Sequence, residues 1–110
     1  MPKRIYIAGK VTGLPIHEVT MKFGAAQKQI EALGFIALNP LELVDDFKAT
    51  WQYAMKICIC HLTTANAVLL LDNWEQSKGA KIEKQLADDL EIPVFNNTAG
   101  NLKLLKYQLE

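Results

Sequence analysis

The sequence predicts an α/β fold: a three-layer sandwich in which a parallel sheet of four or five strands is covered by helices on both faces. Short apolar runs of strand length alternate with longer segments of helical period, the pattern that builds βαβ units. One of these runs, AVLLL at residues 67–71, is apolar throughout, as a strand buried on both faces must be. The 110 residues suffice for one core but not for two, and neither repeats nor low-complexity linkers divide them. A single domain over residues 1–110 is therefore expected.

The first strand is RIYIA at residues 4–8, β-branched and aromatic, ending at Gly9. The loop GKVTGLP follows at residues 9–15. A P-loop would need glycine five residues before Gly9 and Ser or Thr after Lys10, where Arg4 and Val11 stand. What remains is a loop whose glycines let backbone amides approach a ligand, with Thr12 offering a hydroxyl, although any strand-to-helix connection can contain glycine. Ile16, Val19, Phe23, Ala26, Ile30 and Leu33 then fall within about 100° of arc, an amphipathic helix that Gly34 stops. A second strand at residues 35–38 closes at Asn39-Pro40, whose proline disfavours helix at Asn39.

A loop is expected from residue 41 to about 48, then a helix in which Trp51, Ala54, Met55, Cys58 and Leu62 share a face. Trp51, Tyr53 and Met55 read as core or subunit contacts before ligand contacts. The third strand, 67–71, ends at Asp72; the fourth, 92–95, tolerates Pro93 at its start. Residues 96–100 read as a turn, and 101–109 as a last helix with Leu102, Leu105 and Leu109 on one side. A flavodoxin-like, Rossmann-like strand order 2-1-3-4 places the first and third strands at the switch point, where ligands bind outside the carboxyl ends. Gly9, Asn39, Asp72 and the start of the helix carrying Glu83 then converge on one crevice.

That helix holds the sharpest clue. At about 100° per residue, Ile82, Leu86, Gly79, Leu90, Ala87 and Ala80 fill one arc of about 160°, and Glu83 falls inside it. An ionised carboxylate in a dry face costs several kcal/mol unless it is paired, so Glu83 either bends outward to a neighbour or lines a ligand cavity.

Composition narrows the partners. Twelve basic residues balance twelve acidic ones without a basic run, which argues against a nucleic-acid polymer while leaving nucleosides and nucleotides open. No window approaches a membrane span and the N-terminus has no signal-peptide pattern, so a cytoplasmic protein with no membrane partner is expected. Cys58 and Cys60 sit about 200° apart on a helix, too far around it to share a bond or a metal, and no second ligand cluster accompanies them. Cys58 reads as core, and neither a metal nor a cofactor is expected.

IYIAGKVTGL at residues 5–14, Phe23, Asn39-Pro40, Trp51 and VLLLDNWEQSKGAKIE at residues 68–83 resemble a phage and prophage family of small domains. That family is similar to the nucleoside 2-deoxyribosyltransferases and the deoxynucleoside monophosphate N-glycosidases, and the likeness spans about residues 3–95. Its most specific element is S-x-G-x-x-x-E, from Ser77 through Gly79 to Glu83. The resemblance implies a nucleoside 2-deoxyribosyltransferase-like fold, with Glu83 as the nucleophile at the anomeric carbon of deoxyribose. In that chemistry Asp72 would be an acid or a sugar-hydroxyl partner and Ser77 a phosphate ligand, with Tyr6, Gly9, Thr12, Gly13, Asn39, Trp74 and Gly79 expected about the substrate. The transferases carry an acid where this chain has Ser77, which favours a nucleotide over a free nucleoside. An asparagine that some transferases supply from a neighbouring subunit has two candidates here, Asn97 and Asn101.

Two functions follow as expectations: a nucleoside or nucleotide N-deoxyribosyl hydrolase or transferase, or a catalytically inactive module that senses or sequesters a nucleotide. A homodimer or higher homo-oligomer is expected because small related enzymes complete their pockets across subunits, and because Trp51, Tyr53 and Trp74 are large for so small a core to hide.

Overall fold

The computed structural model describes residues 2–46 and 48–109. The β-branched run Arg4–Ala8 forms β1, flanked in parallel by β2 (Ile36–Leu38) and β3 (Ala67–Leu70), with β4 (Val94–Asn96) parallel to β3. The order is β2-β1-β3-β4, as expected from the sequence. Ile5 lies opposite Ala37 on one side and Ala67 on the other, so β1 and β3 occupy the middle of the sheet.

Strand alternation divides the core in two. Ile5, Ile7, Ala67, Leu69 and Leu71 pack against α1 (Ile16–Ala32) and Leu105 of α5 (Ala99–Leu109). Tyr6, Ala8, Val68 and Leu70 pack on the opposite face against α3 (Trp51–Leu62) and α4 (Lys78–Asp89). With both faces covered, the central strands have no solvent side to mark with polar residues. Gly34 ends α1 as expected: at φ +89° it lets its own amide return to the Glu31 carbonyl (3.0 Å) and that of Phe35 to Ile30 (3.3 Å).

The structure corrects the sequence at the residue 41–48 loop, which opens with a short helix, α2 (Pro40–Leu43). Asn39 ends the strand region and also caps this helix, its Oδ1 accepting the Leu41 amide at 3.0 Å; Pro40 stands at the first helical position, where a missing N–H is no loss. Residue 47 of that expected loop lies outside the described residues. Helix α5 takes in Ala99 and Gly100 from the expected turn, because Thr98 Oγ1 caps it by accepting the Asn101 amide at 3.2 Å. Among the described residues, no helix is long and apolar enough to cross a membrane.

Candidate functional site

The loops leaving β1 and β3 are bound to each other at the carboxyl edge of the sheet. The Leu71 amide donates to the Ala8 carbonyl at 2.9 Å, and the Lys10 amide to Asn73 Oδ1 at 3.0 Å. Gly9 is where the two strand ends come closest: a Cβ there would stand 2.7 Å from Leu71 Cδ1 and 3.0 Å from its Cβ. Thr12 is exposed, and Gly13, at φ +86°, turns the loop tip.

Ser77 caps α4, its Oγ accepting the Ala80 amide at 3.1 Å. The amides of Lys78 and Gly79, in the first turn, have no intrahelical acceptor. Gly79 lets α4 lie close on α3, since a Cβ there would meet Met55 Sδ at 2.9 Å and Trp51 Nε1 at 3.7 Å. The Lys78 ammonium lies 4.3 Å from the centroid of the Trp51 ring. Trp74, in a 3-10 turn (Trp74–Gln76), packs half-buried against the core on the α3/α4 face.

Glu83 stands one turn further along α4, on the face turned to the sheet, and is only 5% exposed. The hydroxyl of Tyr6, itself fully buried, donates to Glu83 Oε2. Tyr6 reaches it because the alternation of β1 points residues 6 and 8 toward α3 and α4. Burial pushes the Glu83 carboxyl up from 4.5 to about 7, opposed by the Tyr6 hydrogen bond, which favours the ionised form. Burial, and then the charge of Glu83, holds the Tyr6 phenol well above its usual range. Cys58 is buried in the same cluster, and its thiol is likewise raised by burial. The result is a carboxylate poised to change charge near neutrality, anchored by one phenol on a central strand.

The other candidate residues are placed differently. Asp72 is 79% exposed at its side chain and pairs with Lys22 at 2.5 Å. Lys22 belongs to α1, which covers the sheet face opposite to that of Glu83, so Asp72 is drawn away from the carboxylate. Asn39 is buried with both polar atoms engaged, Oδ1 with Leu41 and Nδ2 donating to Gln27 Oε1 at 2.9 Å. Asn97 Nδ2 donates to Gln29 Oε1 at 3.2 Å, and Asn101 Nδ2 to the Asn96 carbonyl at 3.1 Å. Asn73, which ties the two loops, was not singled out by the sequence; one asparagine beside an acid in a polar loop carries no signal.

The two close-packed glycines give a stability test. Gly9→Ala drives a methyl into the fully buried Leu71 and is expected to cost about 1–3 kcal/mol in urea unfolding, the usual range for overpacking. Gly79→Ala meets the flexible thioether of half-buried Met55 and should cost less. Equal losses would mean that the strand ends are looser than the structure shows.

Residues 3–96 match the family model of the domain of unknown function (DUF4406), and the chain belongs to that family. No curated protein sequence matches it. Among solved structures it is similar to a 2-deoxyribosyltransferase from the psychrotolerant bacterium Bacillus psychrosaccharolyticus. The TM-score is 0.65 and the identity 20%, covering 87% of this chain and 74% of the other. The two chains share the nucleoside 2-deoxyribosyltransferase fold.

Proposed function

We propose that this chain cleaves the N-glycosidic bond of a deoxyribonucleoside or deoxynucleotide, as hydrolase or transferase, with Glu83 as nucleophile. The observation that carries the reading is a single carboxylate at 5% exposure in the middle of a packed helix face, held by the Tyr6 hydroxyl. A Glu placed there for stability alone would be replaced with profit by an apolar residue. Attack on an anomeric carbon, by contrast, needs a carboxylate fixed in direction and shielded from water. Glu83 would form a glycosyl ester as the base departs, and water or a second base would resolve it with overall retention. The likeness in fold to a 2-deoxyribosyltransferase supports the reaction class.

The start of α4 suits a 5′-phosphate. Ser77 Oγ accepts from the Ala80 amide and keeps its own proton to donate, beside the amides of Lys78 and Gly79. Ser77→Ala is therefore expected to weaken 5′-phosphorylated ligands by about tenfold, as loss of one charge-assisted donor does, and free nucleosides by less. Calorimetric titration of both ligand kinds checks this, and equal weakening would remove Ser77 from the phosphate site.

The pairing of Asp72 with Lys22 favours a second reading, a nucleotide-binding module without turnover, because it leaves Glu83 without the acid expected to protonate the leaving base. Incubation with a panel of deoxynucleosides and deoxynucleotides separates the two: release of free base supports the enzyme, and binding without release supports the module.

A further inference from the structure

The outward face of α4 carries exposed apolar residues beside the half-buried Leu86, with a charge order that runs against the helix. Ile82 and Leu90 are 40% and 49% exposed, and Lys81, Ile82, Gln85, Leu86 and Asp89 line a shallow cleft of ≈ 400 Å³. The first turn of α4 has no acid and the last no base; Lys78 and Lys81 stand near its start, Asp88 and Asp89 at its end. A helix dipole favours the reverse, so this order disfavours the helix on its own. Some of these charges are answered within the chain: Lys84 pairs with Asp88 at 2.6 Å, and Lys78 lies over Trp51. Lys81 has no ion pair among the described residues, and Asp89 meets only the Gln85 amide, at 3.0 Å.

We infer that this face is the contact between two copies of the chain, with the α4 helices packed antiparallel about a twofold axis near Gln85. Lys81 and Asp89 lie four residues to either side of Gln85, so the axis sets each Lys81 against the partner's Asp89, twice. The same crossing lays the Ile82 and Leu86 ridges side by side and buries the cleft. Antiparallel packing also places the basic start of each helix at the carbonyl end of the other, which turns the unfavourable order within one chain into a favourable one between two. A parallel pair would set Lys81 against Lys81. The interface goes beyond the nucleotide reading and does not depend on it, since Glu83 lies on the inward face of the helix.

Charge exchange with sedimentation velocity tests the geometry. The wild type is expected to dimerise, less tightly at high salt. Lys81→Glu alone and Asp89→Lys alone each create two like-charge contacts and should weaken self-association by at least about tenfold. An equimolar mixture of the two variants should recover association as a heterodimer, because both contacts then join opposite charges. Lys81→Glu also brings an acid to the start of α4, so its circular dichroism should show an intact fold while its self-association falls. A monomeric wild type, tighter association of Lys81→Glu, or a dimer that neither variant nor their mixture alters would overturn the inference.

Discussion

Glu83→Gln is expected to bind deoxynucleotides nearly as the wild type does, while releasing base at least about a thousandfold more slowly. The substitution keeps the size of the side chain and an oxygen to accept from Tyr6, so the α4 face and the sheet beneath it need not move. What it removes is the negative charge that, in the proposed reaction, attacks the anomeric carbon. Loss should therefore appear in single-turnover base release and not in calorimetric affinity. If the variant releases base at the wild-type rate, Glu83 is not the nucleophile. If both proteins bind alike and neither releases base from any deoxynucleotide, the binding module replaces the enzyme.

The same substitution should reshape the pH dependence of stability. The Glu83 carboxyl titrates at about 7 in the fold against 4.5 in its ordinary state, because burial penalises its charge. Below 4.5 both folded and unfolded chains hold the proton, and the fold carries no penalty from this group. Between those two values the unfolded chain gives its proton up while the fold retains it, so stability falls as pH rises. Above about 7 both are ionised and the whole loss, about 3 kcal/mol for that separation, persists. Urea unfolding from pH 4 to 8 should show Glu83→Gln gaining on the wild type through this window by about that amount. A difference between the two proteins that stays flat with pH would mean that Glu83 is not held in a dry site. If the chain turns over as proposed, kcat/KM should rise with pH through the same value as the carboxylate forms.

The fold was legible because its central strands lack polar positions: a strand without alternation belongs inside a covered sheet, and the alternation of elements makes that sheet parallel. The short helix α2 was not legible. Four residues hold no period, and Asn39-Pro40 signals a strand end and a helix start with the same two side chains. Glu83 stood out as a carboxylate within an apolar arc, although the buried part of that arc is narrower than its hydrophobic residues suggest. Gly79, Ala80, Glu83 and Ala87 face inward, while Ile82 and Leu90 turn out. The role of Tyr6 in holding Glu83 was hidden, since 77 residues separate them and only the β1–α4 packing joins them. Asp72 lies past the end of β3, where alternation no longer fixes which way a side chain points, and Lys22 draws it toward α1.

Intact-mass spectrometry of the protein, quenched in acid during reaction with the deoxynucleotide it turns over fastest, reads the role of Glu83 directly. The wild type should carry a deoxyribosyl or phosphodeoxyribosyl ester that forms as base is released, and peptide mapping should place it on Glu83. Base release with the protein unmodified throughout, or an ester on any other residue, would contradict the assignment.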